Sequence, residues 1–254
     1  IIPSSIIMVI YAFMMNVSVA GLFAAGLVPG LLVGFALMGA VAVISKKRNY
    51  PKAERRATLA EFGVAAKGAF LPLLTPVIIL GGILGGIFTP TEAASVAAGY
   101  ALFLGLFVLK TIKFSDLDKI FLRAGIASAA ILLVVGTATA FAWIATLSRV
   151  PNLLTELMFS ISDNPYLLLL MINVLLLVVG MFLDAGPAIL ILGPILAPSM
   201  VQLGIEPLHF AIIMCVNLTI GLATPPMGLI LFVASSVSRL GVEVIAREML
   251  PLLA

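Results

Sequence analysis

Charge is scarce in this chain: 14 Lys and Arg and 11 Asp and Glu among 254 residues, or 10% in all. Soluble globular domains carry about 25% charged residues, so a water-facing exterior on every side is excluded. The single cysteine, Cys215, rules out an intrachain disulfide and a cysteine-ligated metal site. The single histidine, His209, has no second His, Cys or carboxylate at ligand spacing, and reads as an interfacial residue after Pro207. Hydrolase signatures are missing too. There is no His-Glu-x-x-His, no Gly-x-Ser-x-Gly and no pair of intramembrane carboxylates at helical spacing, so nothing points to an enzyme. A net charge of +3 in so apolar a chain is no nucleic-acid signal.

What the chain has in excess is hydrophobic residues, 63% of the total, with a mean hydropathy of +1.28. Apolar stretches cover Leu31–Ile44, Phe70–Phe88, Ala93–Leu109, Ala124–Leu147, Tyr166–Leu183, Ala188–Leu203 and Phe210–Val237. Several approach the roughly 20 residues that cross a bilayer as helix, which makes this an all-α polytopic membrane protein. Seven of the fourteen basic residues fall in the loop 45–68 and four in Lys110–Arg123, so both segments are expected on the cytoplasmic side. If Phe70–Phe88 and Ala93–Leu109 go out and back about Thr89-Pro90-Thr91-Glu92, only Arg149 lies outside. Glu92 itself completes an S/T-x-x-E capping box with Pro at the first helical position and reads as structural. Trp143, near the outer end of its span, reads as an interfacial anchor. Asn152–Ser162 carries Leu153, Leu154, Leu157, Met158 and Ile161 at helical spacing, the pattern of a short helix on the membrane surface. The basic cluster Lys46–Arg56 sets topology, with contact to anionic lipid as a secondary role.

The strongest functional pointer is a repeat. Gly221-Leu222-Ala223-Thr224-Pro225-Pro226-Met227-Gly228 interrupts one apolar segment, and Ile2-Pro3-Ser4-Ser5 interrupts another. An offset of 222 residues superposes Pro3 on Pro225, Ala12 on Ala234 and Pro29 on Pro251. The charge count makes the segment after Pro3 run outward and the one after Pro225 run inward, so the repeats are inverted. Gly/Pro-interrupted segments at matching places in inverted repeats mark a secondary transporter with its site near the bilayer midplane. The chain opens Ile1-Ile2-Pro3, midway through the repeat unit and with neither an initiator Met nor a signal peptide, and so reads as a fragment. Residues 1–44 would be the end of the first repeat and 45–68 a cytoplasmic loop. Residues 69–254 would be the second repeat, with a re-entrant hairpin at 165–203 and a broken helix at 208–238.

The hairpin rests on Asp184-Ala185-Gly186-Pro187, which parts the arms of Tyr166–Leu203. Either both arms cross the membrane and Asp184 sits in a cytoplasmic turn, or the tip stops near the midplane, which is permitted only where backbone is buried in protein or lines a cavity. An ionisable group within the hydrocarbon region favours function, and the turn carries no such cost.

Several ordered motifs resemble one family. They are Gly180-Met181-Phe182-Leu183-Asp184 through Ile189 to Pro198, Leu203-Gly204-Ile205-Glu206-Pro207-Leu208-His209-Phe210, and Asn217 through Gly228. With Ile2–Ser5, Val17–Gly26, Val28-Pro29-Gly30 and Gly86–Ala94 they are similar to the large membrane subunit of TRAP, or tripartite ATP-independent periplasmic, transporters. Ser4 departs from the family's second proline at that place. The resemblance implies an inverted-repeat, elevator-type importer in the bacterial inner membrane, sodium-coupled, carrying organic acids such as C4-dicarboxylates or sugar acids. It implies two protein partners, a periplasmic substrate-binding protein and a small membrane subunit, beside the lipid bilayer. A stand-alone sodium–carboxylate symporter or ion antiporter of inverted-repeat type is the alternative.

On that reading no cofactor is needed beyond Na+ as coupling ion. Sodium needs oxygen ligands, and a helix broken by Gly and Pro frees carbonyls otherwise tied at i−4. Gly221, Thr224, Pro225 and Pro226 would form the break, with Asn217 and Thr219 as further side-chain oxygens. Small polar residues in membrane helices also bond a neighbouring helix or their own i−4 carbonyl. Asp184, Ala185 and Gly186 would be the facing hairpin tip, and Pro3, Ser4 and Ser5 the other break. Sodium is expected near Gly221, Thr224 and Gly186, while free N–H groups on the opposite half-helices suit a substrate carboxylate.

Overall fold

A computed structural model describes residues 5–50, 55, 58–162, 164–226 and 228–253. Helices α1 to α11 span Ile6–Met15, Val19–Lys47, Leu59–Leu84, Pro90–Phe103, Leu117–Leu147, Val150–Ile161, Pro165–Phe182, Ala185–Gln202, Pro207–Gly221, Leu229–Ser238 and Val242–Leu253. Among the described residues there is no strand, and five helical segments are long and apolar enough to cross a membrane. The all-α polytopic class is thereby met. Large apolar side chains such as Leu32, Leu73 and Leu133 point outward, as a bilayer-facing exterior requires.

The chain packs as two units, Val43–Ile131 and the combination of Ile1–Ala42 with Leu132–Ala254, and α2 and α5 run through both. In the first unit, α3 starts at Leu59, inside the stretch read from sequence as loop. The reason is a capping box: Thr58 Oγ1 accepts from Glu61 N at 3.3 Å while Thr58 N donates to Glu61 Oε2 at 2.8 Å. An Arg55–Glu61 ion pair of 2.6 Å lies beside it. The box expected at Thr89–Glu92 is present with the same reciprocal pattern and Pro90 at its first helical position. Between α3 and α4 the chain turns through Gly86 at φ +68°, and the Phe88 ring takes the space a Cβ on Gly82 would need. Tyr100 then donates from its hydroxyl to Leu71 O at 3.0 Å, tying α4 to α3.

The second unit holds the buried core, formed where α1, α7, α8 and α9 meet. A Cβ on Gly186 would lie 3.9 Å from Ile10 Cδ1 and one on Gly193 3.4 Å from Met15 Cε, so α1 and α8 run parallel. Asn173 meets Asn217 and, further along both helices, Gly180 meets Gly221, so α7 and α9 run parallel to each other. The turn through Gly204, φ +80°, sends α9 back against α8. Two helices therefore run each way, and α7 and α8 each pack more on α9 than on one another. At 18 residues, each arm of the 165–203 pair is about 27 Å long. That nearly matches the hydrocarbon thickness of about 30 Å, so a tip at the midplane requires slanted arms.

Helix α6 has two faces where the sequence pattern showed one. Pro151, Thr155 and Met158 are buried, whereas Leu153, Leu157 and Ile161 are exposed. The buried side is held on α8 by Pro151 O, which accepts from Ser199 Oγ at 2.9 Å and Thr155 Oγ1 at 2.8 Å. Only the Leu153 ridge is left to face a membrane surface. Trp143 is exposed near the end of α5, as an interfacial anchor would be.

Candidate functional site

Helix α9 ends at Gly221 because two consecutive prolines follow within one turn. Pro225 and Pro226 have no N–H to donate to Gly221 O and Leu222 O, so the ladder cannot continue. The final bonds tighten instead, with Ala223 N donating to Ile220 O at 3.0 Å and Thr224 N to Gly221 O at 2.9 Å. The Pro225-Pro226 bond is cis. The chain re-enters helix at Gly228, φ +31°, where a Cβ would sit 2.9 Å from Thr224 O and 3.1 Å from Leu222 O. Only glycine fits there. Ile230 N reaches back to Leu222 O at 3.2 Å and closes the break into a loop.

The break leaves acceptors free. Among the described residues, no backbone N–H donates to the carbonyls of Ala223, Thr224, Pro225 or Pro226. Thr224 Oγ1 spends its proton on Ile220 O at 2.8 Å and keeps its lone pairs. Four carbonyls and a hydroxyl oxygen in one short loop are the donor set a hard monovalent cation needs.

The other half of the expected site is the turn between α7 and α8. Leu183 N donates to Val179 O at 2.9 Å and ends α7, and Asp184 caps α8 by accepting from Ala185 N at 2.8 Å. Asp184 is exposed, Ala185 buried and Gly186 half-buried against Ile10. Capping explains an aspartate at this place under either reading of the turn.

Tip and break lie together because α7 and α9 run parallel and touch through backbone. A Cβ on Gly221 would sit 2.6 Å from Gly180 Cα and 3.0 Å from Leu177 O. A crevice of about 80 Å³ opens there, lined by Gly180, Leu183, Leu222, Gly228 and Phe232. The C-terminal ends of α7 and α9 thus converge, each with a partial negative charge from its unpaired carbonyls, while the N-terminal ends of α8 and α10 start beside them with the opposite sign. Since α1 is parallel to α8, its N-cap Ser5 lies toward the same end, extended at φ −69°, ψ 133°, and its hydroxyl makes no capping bond. Pro3 and Ser4, the rest of that expected break, and Met227 lie outside the described residues.

Asn217 and Thr219 sit back from the loop, within α9. Thr219 Oγ1 donates to Cys215 O at 2.7 Å, and Asn217 Nδ2 donates to Ile213 O at 2.9 Å and to Asn173 Oδ1 at 2.6 Å. Both side chains make the helix and interhelix bonds that small polar residues make in membrane proteins. Asn173 and Gly180 escaped the sequence reading, although a signal existed: in the apolar run of α7 they stand seven residues apart, two helical turns on one face.

Comparison with known proteins now bears on this geometry. The family model of the tripartite ATP-independent periplasmic transporter, DctM component, matches residues 1–254. The chain is 44% identical over 256 residues to the sialic acid TRAP transporter large permease protein SiaM of Vibrio cholerae, covering 100% of this chain and 59% of that protein. It is 42% identical over 251 residues to the C4-dicarboxylate TRAP transporter large permease protein DctM of Pseudomonas aeruginosa, covering 99% and 58%. It is 43% identical over 253 residues to the isethionate TRAP transporter permease protein DctMQ of Oleidesulfovibrio alaskensis, covering 100% and 40%. The chain spans about three-fifths of the length of the first two.

Proposed function

The chain belongs to the family of DctM components of tripartite ATP-independent periplasmic transporters, and from that premise we propose that it is the sodium-coupled, organic-acid-carrying core of such an importer. It is a multi-pass inner-membrane protein, and its named relatives are transport permeases, not enzymes. The observation that carries the reading is the meeting of helix ends at Gly180–Leu183 and Gly221–Gly228.

Carbonyls of Ala223 to Pro226 with Thr224 Oγ1 supply the oxygen set for Na+, beside the two C-terminal helix ends. The N–H groups that open α8 at Ala185–Gly186 and α10 after Gly228 suit an anionic head group. Relatives named for sialic acid, C4-dicarboxylates and isethionate share an anionic cargo, which supports a site built for a negative charge. Asp184 repels such a cargo unless sodium or the α8 N-terminus screens it, so its role here is to start α8.

The repeat division 1–44, 45–68 and 69–254 belongs to this proposal, as do the elevator movement and the two partners, a periplasmic binding protein and a small membrane subunit. The opposite directions of α1 and α9 support inverted repeats. The test is uptake by the intact transporter in liposomes. Import of a radiolabelled carboxylate should need the binding protein and an inward sodium gradient. Equal import in potassium or choline overturns sodium coupling, and equal import without the binding protein favours a stand-alone symporter.

A further inference from the structure

Tip and break are joined in a way the transport reading does not by itself require. Helices in a bilayer gain little from burying apolar surface against each other, so their association depends on close backbone approach and on hydrogen bonds between helices. The α7–α9 pair has both, at two levels. At one level, Asn217 Nδ2 donates to Asn173 Oδ1 at 2.6 Å, and Asn173 Nδ2 is itself held by Leu169 O at 2.7 Å. Two turns nearer the tip, a Cβ on Gly180 would lie 3.1 Å from Gly221 Cα, Leu218 Cα and Leu218 O, all backbone atoms that cannot swing aside. By contrast α8, the other arm of the pair, is held by α1, α6 and α9 and only sparsely by α7.

We infer that Asn173–Asn217 and the Gly180–Gly221 crossing clamp α7 to α9, so that the Leu183–Ala185 tip stays fixed over the 222–228 break through the transport cycle. Access then changes by movement of the clamped body as a whole, and the tip is no separate gate. Asn173 and Gly180 are positioning residues. They touch neither ion nor cargo, but they set the distance between the two halves of the site. The inference rests on the transport reading for its consequence and on the α7–α9 geometry for its substance.

Two measurements on the intact transporter, in a Cys215→Ala background, test it. Spin labels at Phe182→Cys and Val233→Cys, both exposed and on either side of the crevice, report the tip-to-break distance. One narrow distance in sodium-free, sodium-loaded and substrate-loaded samples is expected. A second, longer population that appears or vanishes with ligand overturns the clamp. In the second measurement, Asn173→Cys is paired with Asn217→Cys, and uptake is compared before and after oxidation of the same variant. Cross-linking should change its initial rate by less than twofold, whereas a rate lost on oxidation and restored by reduction overturns the clamp. The distance measurement needs no uptake. A moving tip therefore overturns the clamp alone, and a fixed tip with no sodium-driven import overturns the transport reading alone.

Discussion

The segment from Ser5 to α2 and the segment from Gly228 to α11 follow one backbone plan. Each opens at a cap, Ser5 or Gly228, runs a ten-residue helix, and stops at a left-handed residue, Asn16 at φ 52° or Arg239 at φ 60°. Each then starts a new helix, at Val19 or Val242, and all these pairs stand 223 residues apart. Their surroundings differ completely. Helix α1 buries Met8, Tyr11 and Ala12, while α10 exposes Phe232, Val233 and Val237. Helix α2 is a 29-residue apolar span, whereas α11 is 12 residues long with Glu243, Arg247 and Glu248 on one side. A shared local plan fixes where helices start and stop, and packing decides what each helix is for.

The largest expected effect comes from the two caps. Gly228→Ala puts a Cβ against Thr224 O and Leu222 O in a left-handed conformation, with a strain of about 1–3 kcal/mol at the break itself. We expect more than a tenfold rise in the sodium concentration that half-saturates uptake. Ser5→Ala removes a hydroxyl from an extended residue without strain, so its shift should be smaller. Equal shifts would show that the two caps are not in different states of strain.

The second contrast is between α2 and α11. A cysteine at Val244 should react with an impermeant maleimide from the cytoplasmic side at least tenfold faster than one at Phe35, since α11 has the charged face of an interfacial helix and α2 does not. Similar rates would place both helices in the same environment and remove the contrast. The smallest effect concerns the left-handed stops. Arg239→Gly should raise thermal stability in detergent by about 1 kcal/mol, because glycine adopts this conformation without a Cβ clash. Asn16→Gly should give less, since asparagine already tolerates it. A larger gain at Asn16 would mean that its side chain is strained by the α1 packing.

Much of this architecture was legible in the chain. Apolar runs and the basic segments around Lys46–Arg56 and Lys110–Arg123 marked the spans, and Thr89–Glu92 marked a helix start that formed as expected. The α3 start at Leu59 carried the same signature in Thr58 and Glu61 and was passed over because it lay in a charged stretch. The repeat was visible through its prolines, at 222 residues. Helix boundaries recur at 223, since caps and left-handed stops, not prolines, set where the helices begin and end.

By itself the sequence determined a helical membrane protein, the break at Gly221–Gly228 and the turn at Asp184, because each follows from local rules: hydrocarbon cannot hydrate a backbone, proline cannot donate, and aspartate caps. Tertiary structure alone decided that Asn217 faces Asn173, that Gly221 lies on Gly180, and that α6 turns Thr155 inward. Those outcomes depend on which helix lies alongside. Between apolar helices one lipid-like face looks like another in sequence, and only the parallel course of α7 and α9 brings tip and break to the same place.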